Sequence, residues 1–309
     1  MSRRHVVALG ALALACAFVA VGFVGVDRYA RNYWLYRGFP PPHDPAYVTQ
    51  AGTQEHIQVT SAALGGRAQD VYVYLPPGYA DNPTRRYPVL YLLHGFPGRP
   101  LAFMLTVRMG VVEDELVAKN LAQPVILVMP FGSTGTFTDK EWANGVGQGE
   151  AWATFVARDV VHAIDSRYRT IADLSGRAIA GLSEGGYGAL NIAFQHPREF
   201  GVVESWSGYE QAAKIRSIFG QDSNALAANS PVLTLPHVAR TLRRERAFIW
   251  FYTGQGDEDA RQNEAFAADL RRLRVPHDFL EPSGGHNWAL WRGEAQAAYL
   301  AAARRLASG

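Results

Sequence analysis

The sequence predicts an α/β domain built on a mostly parallel, doubly wound sheet with helices on both faces and an antiparallel N-terminal edge. Two observations carry most of this. The runs Val89–Leu93 and Val125–Met129 are almost unbroken apolar stretches, as expected of strands covered by helices on both sides. Such runs then alternate with segments of helical periodicity to residue 300, the pattern of a parallel sheet with crossover helices.

The first element is not part of that sheet. Val6 to Val26 is a run of 21 residues without a charge, preceded by Arg3, Arg4 and His5. About 20 apolar helical residues cross a bilayer core. A cleaved signal has a shorter apolar region, about 7–15 residues, ending in a small-x-small site. Residues 1–26 are therefore expected to form an uncleaved anchor in a bacterial-type cell membrane, with the rest of the chain outside; secretion after cleavage is the alternative. Asp27, Arg28, Arg31 and Arg37 follow the run and weaken the charge contrast that sets orientation. Residues 27–53, with Tyr29, Tyr33, Trp34, Tyr36 and Phe39-Pro40-Pro41-Pro42, read as a stalk.

Residues 54–309 are expected to be one catalytic domain. Ile57–Thr60 and Val71–Leu75 flank Gly65-Gly66 and read as an antiparallel pair. Trp152, Phe155, Val156, Val160 and Ile164 recur at three- and four-residue intervals, which predicts a helix from Glu150 to Tyr168. Further strands are expected at Arg177–Ala180, Gly201–Ser205, Phe248–Tyr252 and His277–Leu280, with helices at Gly188–His196 and Asn263–Arg274.

Composition excludes several classes. Lys plus Arg is 30 against 28 for Asp plus Glu, and a formal charge of +2 makes no case for a nucleic-acid partner. Cys16 is the single cysteine, so neither a disulfide framework nor a cysteine-based metal site is available.

The chemistry is concentrated in four short segments. Gly181-Leu182-Ser183-Glu184-Gly185-Gly186 joins a predicted strand to a predicted helix. This is the setting of a nucleophile elbow, in which flanking glycines admit a turn too sharp for side chains. The serine then sits at a helix N-terminus, where backbone N–H groups favour a developing negative oxygen. The Glu184 N–H is the first candidate oxyanion donor. His94-Gly95-Phe96-Pro97-Gly98 follows the strand Val89–Leu93, and the Phe96 N–H is the second.

A serine hydroxyl needs a base. Among nine histidines, His286 lies in a Gly-rich loop, Ser283-Gly284-Gly285-His286, after the last predicted strand. That position agrees with the chain order serine, acid, histidine. The acid belongs in Gly254-Gln255-Gly256-Asp257-Glu258-Asp259, with Asp257 first and Asp259 the alternative. His94 and Trp288, beside these segments, are candidates for contact with substrate. Trp142, Trp152, Trp206 and Trp291 are further aromatic candidates for a pocket wall, and core for preference.

These segments together resemble the esterase D-like putative esterase family of α/β-hydrolases, which includes S-formylglutathione hydrolases, feruloyl esterases and mycolyltransferases. The resemblance rests on Tyr91-Leu92-Leu93-His94-Gly95, on Gly181 to Ala189, on Gly254-x-x-Asp257 and on Gly284-Gly285-His286-Asn287-Trp288-x-x-Trp291. It implies a Ser183–His286–Asp257 triad, an oxyanion hole from the N–H groups of Phe96 and Glu184, and serine esterase activity without cofactor or metal. Glu184 stands where many members carry methionine; its carboxylate near the site mouth is expected to disfavour anionic substrates. The apolar N-terminal segment argues against the cytosolic formylglutathione role and for small-molecule or cell-envelope esters. An exported acyltransferase with the same triad and a non-catalytic binding protein on the same fold are the alternatives.

Overall fold

A computed structural model describes residues 3–134, 142–146 and 150–309. The chain divides into two compact units, Met1–Pro41 and Pro42–Gly309.

The first unit is a single helix, α1 (Arg3–Tyr36). Its stretch Leu12–Tyr36 is 25 residues long with mean hydropathy 1.6, long and apolar enough to cross a membrane. The helix continues past Val26, so the first ten residues of the expected stalk are helical. Asp27 and Arg31 form an ion pair one helical turn apart there. The expected anchor's first two residues lie outside those described.

The second unit contains one eight-stranded sheet in the order β1-β2-β4-β3-β5-β6-β7-β8. β1 (Thr53–Ser61) and β2 (Arg67–Leu75) pair antiparallel, and β2 also runs antiparallel to β4 (Ile126–Pro130). β3 (Val89–Leu93) pairs parallel with β4 and with β5 (Arg177–Leu182). The parallel series continues through β6 (Val202–Trp206), β7 (Phe248–Tyr252) and β8 (His277–Leu280). All eight expected strands form, within a few residues of their expected ends.

Burial follows from position in the sheet. β3, β4, β5 and β6 are buried at every residue, whereas β1 alternates toward its end and the edge strand β8 is half exposed. One face packs against α2 (Ala102–Leu105), α3 (Met109–Ala118) and α11 (Trp288–Ala303), through Phe103, Val112, Leu116, Tyr299 and Ala302. The other is covered by α4 (Trp152–Thr154), a π-helical turn (Phe155–Val160), α5 (Val161–Arg167), α6 (Glu184–Gln195), α9 (Pro231–Arg244) and α10 (Ala260–Arg272). Between β6 and α9 lie two short helices, α7 (Arg216–Phe219) and α8 (Ser223–Ala228).

The helix expected from Glu150 to Tyr168 is thus present with a π turn in its middle. The turn widens the spiral where Phe155, Val156 and Val160 are all buried on one face. The helices expected from Gly188 and Asn263 begin earlier, at Glu184 and Ala260. In both cases the loop chemistry before the apolar repeat already belongs to the first helical turn.

Candidate active site

Because β3 and β5–β8 run parallel, their carboxyl ends gather on one edge of the sheet. The four segments singled out in the sequence leave from those ends. Ser183 links β5 to α6 with φ 56° and ψ −121°, a backbone region that L-residues avoid. Its N–H donates to the Trp206 carbonyl at 2.9 Å, which ties the elbow to β6. The glycines on either side of the turn are required by close approach: a Cβ on Gly181 would collide with the Gly185 carbonyl, and one on Gly185 with that of Leu93.

His286 Nε2 lies 2.8 Å from Ser183 Oγ, and His286 Nδ1 lies 2.9 Å from Asp257 Oδ2. With Asp257 ionised, Nδ1–H donates to the carboxylate and Nε2 accepts the serine proton. The side chain of Asp257 is fully buried, that of His286 about one-third exposed. Burial by itself raises the Asp257 pKa. Hydrogen bonds from His286 and from the Asp259 N–H (3.2 Å) outweigh it and hold the carboxyl below its ordinary value, with the Ser207 hydroxyl nearby. Asp259 contributes its backbone, not its carboxylate, to this chain.

Backbone bonds sew the acid loop to the base loop. Gln255 N–H donates to Pro282 O at 3.1 Å and Gly256 N–H to Gly284 O at 2.8 Å. Asn287 caps α11 through Leu290 N–H at 3.1 Å, so the imidazole hangs from a fixed helix end.

Phe96 and Glu184, the expected backbone donors, both lie next to the elbow. Gly95 packs against Leu182 and Ser183 Cβ, which brings its loop onto the elbow, and Phe96 is 42% exposed at the surface of that loop. Glu184 is the first residue of α6, where N–H groups have no carbonyl four residues back. The residue is buried, so the expected carboxylate at the site mouth is corrected: it is not exposed there.

His94 is also corrected as a candidate for substrate contact. It is buried, its Nδ1 bonds Gly95 O at 2.9 Å, and its Nε2 accepts from Gly132 N–H at 3.1 Å. Both nitrogens are committed, and desolvation lowers its pKa to about 4, so it is neutral at pH 7. It braces the loop that carries Phe96. Trp142, fully buried, supports it from behind, with the indole N–H on His94 O at 2.9 Å.

Trp291, not Trp288, meets the imidazole, edge to face with centroids 5.1 Å apart. Trp288 is half buried and packs on Trp291 at 5.0 Å. Trp152 and Trp206 are core. Ser207 was not singled out in the sequence. It is fully buried with φ 53°, and its N–H donates to Tyr252 O at 2.8 Å. Nothing in Trp206-Ser207-Gly208 marks the serine locally; only the arrival of β6 beside Asp257 does.

The strand order and the serine at a strand-to-helix elbow define an α/β-hydrolase. The chain belongs to the putative esterase family, whose model matches residues 61–301. It is 28% identical to an esterase of Mycobacterium tuberculosis over 70% of this chain and 52% of the relative. It is 26% identical to the diacylglycerol acyltransferase/mycolyltransferase Ag85A of Mycobacterium leprae, over 93% of this chain and 85% of that protein. A solved ferulic acid esterase superposes with TM-score 0.73 at 25% identity, covering 83% of this chain and all of that one. The chain spans about half the length of several curated relatives it matches.

Proposed function

We propose that the protein is a serine carboxylic ester hydrolase with Ser183 as nucleophile, His286 as general base and acid, and Asp257 as the group that orients and stabilises the imidazole. The unbroken chain from Asp257 Oδ2 through His286 to Ser183 Oγ carries this reading. His286 Nε2 takes the Ser183 proton as Oγ attacks the ester carbonyl. The tetrahedral oxyanion is held by the N–H groups of Phe96 and Glu184. His286 then protonates the departing alcohol, and water attacks the acyl-enzyme with the same base. No step calls on a metal or organic cofactor. Half-exposed Trp288 forms one wall of the substrate site.

The test is hydrolysis of short- and medium-chain p-nitrophenyl esters beside Ser183→Ala, with intact mass after a fluorophosphonate probe. Wild type should turn over and gain one label, and the variant should do neither. A wild type that is folded yet inert to both would sink the proposal.

Acyl transfer is the second reading, favoured by similarity to the mycolyltransferase along almost the whole chain. Diversion of acyl product from free acid to an added sugar would select it. For the first unit we propose a membrane anchor over residues 1–26, a stalk over 27–53, and a catalytic domain over 54–309 on the outer side, with secretion after cleavage as the alternative. Persistence of the full-mass chain in the membrane fraction tests that.

A further inference from the structure

The edge of the sheet opposite Ser183 is built differently. Crossover helices that precede parallel strands end there, and two of them converge: Arg243 at the end of α9 donates to the Leu273 carbonyl just past α10 at 2.6 Å. This corner gathers Arg240, Arg243, Arg244 and Arg246 from one helix end with Arg271, Arg272 and Arg274 from the other, all exposed. Three carboxylates lie among or beside them: Glu245 paired with Arg244 and Arg198, Asp269 paired with Arg272, and Asp278, which pairs with Arg305 and lines one hollow with Arg271. Arg240, Arg246, Arg271 and Arg274 pair with no carboxylate among the described residues. A helix dipole accounts for one or two cations at each helix end. Seven at one corner of a chain whose net charge is only +2 exceed that.

A second observation lies on the same edge. Within the catalytic unit, the segment leading in from α1 is fastened beside the C-terminal end of α3, which precedes β4. Tyr47 donates to Glu115 at 2.8 Å under the Lys119 ammonium, and Gln50 donates to Asp81, in the loop before β3, at 2.6 Å. The polypeptide therefore enters on the amino edge of the sheet, the edge that carries the arginines, at its β1–β4 end while the arginines stand at its β7–β8 end.

We propose that this arginine corner docks the catalytic domain on the anionic phospholipid surface of the membrane that holds α1, leaving the Ser183 edge turned away from the lipid. The proposal rests on the anchor reading of α1. Each cation brought near an anionic leaflet strengthens attachment roughly fivefold, an effect confined to about a Debye length. Attachment of the same chain to the membrane raises the corner's effective concentration at the lipid, so a weak surface affinity is enough to set orientation.

The full-length chain, in a Cys16→Ser background, is placed in lipid nanodiscs with a donor fluorophore at Ala118→Cys on the amino edge or at Glu281→Cys on the opposite edge, and an acceptor on the lipid headgroups. Energy transfer from position 118 should rise about twofold when phosphatidylglycerol replaces phosphatidylcholine, and fall back in high salt. It should also fall back in a variant with Arg240, Arg246, Arg271 and Arg274 all changed to Gln, which should retain ester turnover. Transfer from position 281 should stay low throughout. Transfer from position 118 that ignores lipid charge and salt overturns the docking proposal without recourse to the variant. Binding of soluble polyphosphate together with that indifference would reassign the corner to a soluble polyanion. Release of the chain from membranes by alkaline carbonate would instead overturn the anchor reading.

Discussion

Asp257 and Glu204 are both buried carboxylates of the parallel part of the sheet, Asp257 in the loop at the carboxyl edge of β7 and Glu204 inside β6. Asp257 accepts from His286 and from the Asp259 N–H and is held below its ordinary pKa. Glu204 accepts one indole N–H, from Trp206 at 2.9 Å, and its other oxygen has no partner among the described residues. Desolvation then dominates and raises its pKa to about 8. Burial is common to both; the number of donors that loops can deliver decides which one is charged. An edge where loops converge can assemble those donors. A strand interior cannot, because its backbone N–H groups are spent on the ladder.

The comparison can be broken first at the edge. Ser183→Ala should lower ester turnover by about 10⁴–10⁶-fold, measured as kcat. Asp257→Asn should cost about 10⁴-fold by presenting the wrong partner to Nδ1–H, while Asp259→Asn should stay within a few-fold. A larger loss for Asp259 than for Asp257 would reassign the acid.

Smaller effects sharpen the contrast. A depressed carboxyl such as Asp257 stabilises the fold above its unfolded pKa of about 3.9, and that stability is lost as pH falls through the folded value. Glu204 has the opposite sign: the folded state holds its proton between about pH 4.5 and 8, so stability falls as pH rises through that window. Glu204→Gln should therefore raise Tm at pH 8, by about 2–4 °C per kcal/mol recovered, and change it little at pH 4.5. A Tm gain equal at both pH values would show that Glu204 is ionised throughout.

Much of the site was legible because its signals are local. Strand, sharp turn and helix are encoded within ten residues around Ser183, and glycines at 181 and 185 are there for steric reasons that hold wherever the segment folds. The eight strands were legible for the same reason, since full or alternating burial writes itself into hydrophobic period. His94 and Glu184 were misjudged because proximity along the chain says nothing about the direction a side chain takes. His94 is bonded to Gly132 and to its own loop, Glu184 is buried, and the ring packed on the imidazole is Trp291, one helical turn beyond Trp288 along α11.

The amino-acid sequence alone determined the fold class, the candidate nucleophile and base and the apolar first segment, each through short-range chemistry. Tertiary structure alone decided that Asp257 rather than Asp259 receives the imidazole, since those carboxylates differ only in the direction a turn gives them. It also decided which buried acid is ionised, and that arginines 30 residues apart share one corner under a nearly neutral total charge. Each of these depends on which helix ends and loops the strand order brings together, a distance that no local pattern encodes.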